Sequence, residues 1–298
     1  MATIASDLND RLYSQLALES FVRALAPLNV FSTSYSSDAT ARGASVEVPL
    51  VANLTATTFA DSYEADGGTL NALRVNIDKH KIVTVRISDT EYSKSSNADI
   101  QKFAYQQGRA LAQAVLDDIW SAFVTTAGSA AQFAATVTGL TTLTLANVRS
   151  LRKAMSADKV PLDQRSLILD SDLYDGLLSQ SNLSDASQFG ARDAIVDARI
   201  PRVYGMNVYE VTSVPSNSIS LKGFAVHPNA LAVAVRALPA QAPSEYLAAT
   251  TATDAETGLT INYRRHFNPS SGQHFASYSC TYGYTRGITA AAKLALGA

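Results

Sequence analysis

The sequence predicts an α+β protein in which a charged β-hairpin projects from a body braced by one long helix. Three observations carry this. Apolar and polar residues alternate in three runs between Val46 and Ile87, the period of half-buried strands. Helical spacing then runs from Ile100 to Phe123. In the remainder, short apolar runs of both helical and strand character are separated by Pro, Gly and Asn turns.

The first element is a helix. Leu8, Leu12, Leu16, Phe21, Val22 and Leu25 share one face, Ser6 is placed to cap it, and Pro27 ends it. A polar run, Ser32 to Asp38, gives residues 1–43 the character of an extended arm. Strand patterns follow at Val46, Val48 and Leu50, at Leu73, Val75 and Ile77, and at Val83, Val85 and Ile87. Between the first two lies a turn rich in acid and glycine, from Asp61 to Thr69. From Asp61 to Asp99 there are seven acids and five bases, so both signs are dense here and sparse elsewhere. Such a hairpin finds its second partner in another molecule.

The strongest element comes next. Asn97 or Asp99 caps a helix carrying Ile100, Phe103, Leu111, Val115, Ile119 and Phe123, and Gly128 ends it. A helix of roughly 27 residues spans about 40 Å, a strut across a flat domain. The second half holds a helix from Leu145 to Met155 and a buried strand from Ser166 to Asp170. A short helix starts at Ser171, and a strand runs from Gly205 to Val211. From Val203 to Val235 the only charges are Glu210 and Lys222, which marks core. Leu259–Arg265 and Gln273–Tyr284 form a long hairpin around the loop Asn268–Gly272.

Composition narrows the function. Hydrophobic residues make up 47% and charged residues 17%, so this chain hides apolar surface in a core or against partners. A net charge of -2 lacks the basic excess of a dedicated nucleic-acid binder. One cysteine, Cys280, cannot form an internal disulfide, and the start of the chain lacks a signal-peptide pattern, which points to a reducing, cytoplasm-like compartment. The charge-free stretch from Ile119 to Val148 is too rich in Thr and Gly for a membrane span and reads as a helix end followed by short strands.

Catalytic constellations are missing from the sequence. No phosphate-binding glycine loop, nucleophile elbow or His-Glu-x-x-His motif occurs. His266 and His274 either face each other across the last hairpin as a metal pair or lie on a wet face. Cys280, among alternating aromatics, reads as a small packed hydrophobe. Asp117-Asp118 reads as a solvated helix face, and Asp170 with Asp172 as helix-capping acids. The sequence therefore implies no enzyme, no metal and no cofactor.

The order of elements, and several strings, resemble the major capsid (coat) protein of tailed bacteriophages. Val46-Glu-Val-Pro-Leu-Val-Ala52 is similar to the strand that begins that family's extended loop, and His80 to Glu91 to its return strand. Val160 to Asp170, Gly205 to Tyr209 and Phe224 to Ala230 resemble its axial-domain strands. Asp254 to Ile261 and Tyr282-Gly-Tyr-Thr-Arg286 resemble its closing strands. The likeness runs from Val46 onward; one departure is Gly287, where the family pattern has proline after Arg286.

The resemblance implies a Hong Kong 97-like fold with an N-terminal arm (1–43) and an extended β-hairpin loop (44–92). A peripheral domain with a spine helix (93–140), a mixed α/β axial domain (141–243), a return to the peripheral domain (244–285) and a C-terminal tail (286–298) complete it. It further implies pentamers and hexamers of an icosahedral virion shell assembled in the host bacterial cytoplasm, enclosing double-stranded DNA held only non-specifically. Portal and scaffolding or decoration proteins are the other expected partners; no membrane is involved. With no long charged N-terminal scaffolding segment, the scaffold is expected to be separate or cleaved away. Asp61, Glu64, Asp66, Lys79, Lys81 and Arg86 are the interface residues it nominates; some relatives make a Lys–Asn crosslink, for which Lys79 or Lys81 would be the lysine, but the expectation here is against one. An encapsulin-like nanocompartment shell and a phage tail structural protein are the rival readings.

Overall fold

A computed structural model of the chain describes residues 2–31, 45–51, 70–88, 90, 94, 97–124, 133–180, 200, 202–212, 214–236, 238, 246–254 and 258–298. Its helices are α1 (Ala2–Ala24), α2 (Asn97–Trp120), α3 (Leu145–Ala157) and α4 (Ser171–Leu178). Its strands are β1 (Ser45–Val51), β2 (Leu70–Asn76), β3 (Lys79–Ser88), β4 (Ala134–Leu140), β5 (Ser166–Asp170), β6 (Arg202–Val203) and β7 (Met206–Val211). The series continues with β8 (Leu221–Val226), β9 (Leu231–Arg236), β10 (Ala248–Thr253), β11 (Thr260–Asn268), β12 (Gln273–Arg286) and β13 (Ala292–Gly297).

Helices α1 and α2 pack closely because glycine stands at their crossing. A Cβ on Gly108 would lie 2.2 Å from Ser20 Oγ and 2.3 Å from the Ala17 carbonyl oxygen. The Ser20 hydroxyl donates to the Tyr105 carbonyl at 2.9 Å across this contact. Tyr13, Ala17 and Phe21 of α1, and Leu25 just after it, enter the same core as Leu111, Val115 and Ile119 of α2. The first helix is thus part of the packed body. It also begins before Ser6, which lies inside it rather than at its cap. Pro27, lacking an N–H, ends the α-helix and opens the 3-10 turn Ala26–Val30. The polar run from Ser32 lies outside the described residues.

Helix α2 stops at Trp120, short of the expected Phe123. The reason is a cap from far along the chain: Asn217 Nδ2 donates to the carbonyls of Trp120 (3.0 Å) and Phe123 (2.9 Å). That amide satisfies acceptors that a longer helix would have used itself.

The described strands form three sheets. β1 and β2 make an antiparallel ribbon in which Val46 faces Val75 and Val48 faces Leu73. The second sheet is ordered β10-β11-β12-β3, with β9 continuing beyond β11 along β12. The third, mixed sheet is ordered β4-β13-β8-β5-β7-β6. The centre of β5, Leu167-Ile-Leu169, is apolar because both of its faces are buried: Leu167 and Leu169 turn to the cluster under α3 and α4, and Ile168 to the opposite one. An aromatic cluster joins that second face to the end of α2. Phe123 stacks on Phe224 at 4.2 Å between centroids, and Trp120 meets Phe224 edge-on at 5.2 Å.

The last residues differ from a tail. β13 lies between β4 and β8 inside the third sheet, with Leu294 and Ala295 buried on opposite faces. The run Ala292-Lys-Leu-Ala-Leu296 is too poor in β-branched residues to signal a strand, and its position between two partners supplies the stability. Lys293 is buried in this strand and forms an ion pair with Asp158 at the end of α3. β4 is the single described strand of the charge-free stretch, and it pairs parallel to β13. No helix among the described residues is long and apolar enough to cross a membrane.

Candidate functional site

The residues with catalytic potential are dispersed and structurally committed. His266 pairs with Phe275 and His274 with Phe267, so neighbouring register positions put the two histidines on opposite faces of the hairpin. They cannot share a metal. Asp170 and Asp172 both bind Lys222, at 3.2 and 2.8 Å. Cys280 is fully buried, and burial pushes its thiol up to about 12. Such a thiol is protonated and inert at neutral pH.

Asp118 is not merely a solvated helix residue. Its Oδ2 accepts a hydrogen bond from the Tyr282 hydroxyl at 2.8 Å and pairs with Lys79 Nζ at 3.0 Å. Lys79 also donates to the Tyr284 hydroxyl at 3.2 Å, and that hydroxyl lies 3.1 Å from Ser121 Oγ. Burial alone would lower the Lys79 pKa; its bonds to Asp118 and Tyr284 outweigh this and raise it. The ammonium therefore stays charged and has its partner within its own chain. This network ties the start of β3 to the end of α2 and to β12. Its members are up to 205 residues apart, so no local pattern announces it.

Burial and the Asp118 carboxylate also raise the Tyr282 phenol. Both Cys280 and Tyr282 hold their protons in the folded chain beyond the pH at which the unfolded chain loses them. Stability is therefore fully present below pH ~9 and falls as pH rises above it, by up to ~1.4 kcal/mol per pH unit per group. Urea unfolding between pH 8 and 11 is expected to show this decline, less steeply in Cys280→Ala. Equal slopes in the two proteins would rule out the Cys280 contribution.

The nominated interface bases divide between two faces of β3. Lys79 and Lys81 share the half-buried face with Val83, Val85 and Ile87, while Arg86 lies with His80, Ile82 and Thr84 on the exposed face. Ile82 is 58% exposed there. β3 is an edge strand, pairing with β12 alone among the described residues. Asp61, Glu64 and Asp66 lie outside the described residues.

The root of the β1–β2 ribbon is fixed to the body. Leu73, Val75 and Ile77 of this arm pack with Ala232 and Ala234 of β9. The Thr285 hydroxyl donates to the Arg74 carbonyl at 3.0 Å. At Gly283 the two backbones touch: a Cβ there would lie 1.9 Å from the Asn76 carbonyl oxygen. Tyr282-Gly-Tyr284 carries no local sign of this role in the sequence.

A family model described as phage capsid protein matches residues 73–273, about two thirds of the chain. Solved structures share the fold at low identity. A chain of Mycobacterium phage Che8 matches with TM-score 0.59 and 16% identity over 89% of both chains. The capsid structure of cyanophage P-SCSP1u matches with TM-score 0.56 and 14% identity over 86% of this chain and 84% of that one. A virus-like particle from Pyrococcus furiosus matches with TM-score 0.54 and 12% identity over 96% and 98%. No curated protein sequence matches the chain. With the family model matching about two thirds of the chain and these structures sharing its overall fold, this chain belongs to the phage capsid protein family and has its Hong Kong 97-like fold.

Proposed function

We propose that the chain is a non-enzymatic major capsid protein that self-assembles into pentamers and hexamers of an icosahedral head enclosing double-stranded DNA. The observation that carries this is the capsid-family match over residues 73–273. The physical chemistry agrees with it. A subunit with 17% charged residues and large exposed side chains such as Ile82, Phe103 and Leu162 gains by burying surface against copies of itself.

In this reading the chain divides into arm, extended loop, peripheral domain, axial domain and return strands as the resemblance implies. Assembly takes place in the host cytoplasm with portal and scaffolding or decoration proteins. Asp61, Glu64 and Asp66 lie over a neighbouring subunit and pair with bases there; Arg86 and Lys81 supply charge at the same kind of contact. Each exposed pair is worth only ~0–1 kcal/mol. Repeated around every capsomer, such pairs select register and partner more than they add affinity.

Negative-stain microscopy of the purified protein is the test: closed particles containing nuclease-protected DNA are expected. Tubes, or a monomer at every concentration, would overturn the proposal. Glu64→Lys combined with Asp66→Lys is expected to cut particle yield severely while leaving the urea midpoint of the unassembled chain unchanged. The second reading, a shell around protein cargo, is favoured by the likeness to the Pyrococcus furiosus particle. Co-purifying protein in place of DNA would select it.

A further inference from the structure

The outer face of α3 and the β6–β7 turn enclose an open cavity of about 540 Å³. Arg149, Arg152 and Lys153 line it, together with Ser150, Ser156 and Tyr204. The three bases fall at helical spacings of three and four, so they share one face within about 6 Å of helix axis. They are exposed, and they form no ion pair among the described residues. Ala146 is the only other lining residue among the described residues, and none of these is a carboxylate. Among the acids of this layer, Asp158 pairs with Lys293, and Asp170 and Asp172 pair with Lys222.

Two ordinary explanations fail. Cations often complement the negative end of a helix dipole, but none of these lies in the last turn of α3. Exposed bases often cover apolar surface, but among the described lining residues there is no large aliphatic side chain to cover. Tyr204 is the one aromatic among them, less than the apolar centre around which protein interfaces are built. A phosphate backbone needs no such centre. It needs arginine forks, a lysine and hydroxyl donors without a competing carboxylate. The floor adds donors: buried Arg165 gives one hydrogen bond to Ser156 Oγ at 3.0 Å, which leaves the serine proton free to point outward.

We propose that this cavity on α3 is a binding site for the phosphate backbone of nucleic acid, with Arg149, Arg152 and Lys153 as its contacts. The ligand class rests on the capsid reading above, in which nucleic acid is the cargo. A near-neutral chain would then touch its cargo at one small, sequence-indifferent patch instead of by a general positive charge.

Fluorescence anisotropy with a labelled 20-base-pair DNA duplex, titrated at several salt concentrations against the full unassembled chain, tests this. Each phosphate contact contributes ~0.9 to the slope of log affinity on log salt. Arg149→Gln with Arg152→Gln and Lys153→Gln is expected to reduce the slope by roughly 2–3 and weaken binding about tenfold or more at low salt. Arg149→Lys with Arg152→Lys, which keeps the charge, is expected to retain most of the slope.

The control Arg11→Gln, Lys94→Gln, Arg109→Gln removes the same charge elsewhere and is expected to change little. Equal binding in the triple variant and the parent overturns the proposal, as does an equal loss in the control. Variant-sensitive binding of a polyglutamate peptide or of inorganic phosphate, without such binding of DNA, also overturns it. Particle yield by microscopy is read separately, so a failure to form shells bears on the capsid reading and not on this site.

Discussion

Gly283→Ala is expected to destabilise the unassembled chain by ~2–4 kcal/mol and to abolish closed particles. The added Cβ would lie 1.9 Å from the Asn76 carbonyl oxygen and 2.7 Å from its carbon. The obstacle is backbone, so no flexible side chain can swing aside, which puts the cost at or above the usual ~1–3 kcal/mol of overpacking. Relief requires either β12 to leave β9 or the β1–β2 ribbon to leave its root. β12 is held on both edges, by β9 and β11 on one and by β3 on the other, so the ribbon is the part that must move. Its packing of Val75 and Ile77 on Ala232 and Ala234 goes with it, and so does the angle at which the hairpin leaves the body. Urea unfolding and particle counts would both read the change. A cost below about 1 kcal/mol with normal shells would show that the ribbon is not fixed at this point.

Arg165→Ala is expected to cost ~3–5 kcal/mol. Arg165 is 2% exposed. Its guanidinium donates to the carbonyls of Pro161 (2.7 Å), Val160 (2.6 Å) and Arg152 (3.4 Å), and to Ser156 Oγ (3.0 Å). Burial and the nearby Arg152 charge lower its pKa, so this cation is held by carbonyl dipoles at the end of α3. The Pro161 and Val160 carbonyls would lose these donors in the alanine variant. The turn they belong to is already demanding: Lys159 and Gln164 both adopt left-handed conformations, at φ 57° and 55°. Arg165→Lys is expected to recover only part of the loss, because one ammonium cannot span four separated acceptors. Full stability of the lysine variant in urea would refute the fork geometry as the cause.

Local signals were legible where one residue period governed one buried face. The alternation at Val83, Val85 and Ile87 gave the inner face of β3, and the run Ser166–Asp170 gave β5. The hairpin of β11 and β12 was visible from two alternating runs and an Asn-Pro loop. Its register was not, and register alone decides that His266 and His274 point apart, since a slip of one residue reverses every face. The end of α2 could not be read because Asn217, almost a hundred residues on, supplies the cap. β13 could not be read because alanine-rich strands become strands through their neighbours.

Charge density points to the extended loop, and the capsid resemblance nominates its residues, of which Asp61, Glu64 and Asp66 lie outside the described residues. The division of Lys79 and Lys81 from Arg86 follows from strand geometry, but the binding of Lys79 by Asp118 and Tyr284 depends on three elements meeting. The basic cavity on α3 passed unnoticed because its bases are few. That they have no ion pair among the described residues, while Asp158, Asp170 and Asp172 pair with other lysines, is visible only in the structure.

By itself the sequence determined the α+β class, the paired strands of the ribbon, the long helix and, through resemblance, the capsid family. The first three rest on composition or on a short-range period, which neighbouring residues encode together; the family rests on the order of its strings. Only the tertiary structure decided where the ribbon is anchored, which charges remain unpaired and where the last strand inserts. Those outcomes depend on backbone approach and on ion pairs between residues tens to hundreds of positions apart, and no local pattern encodes them.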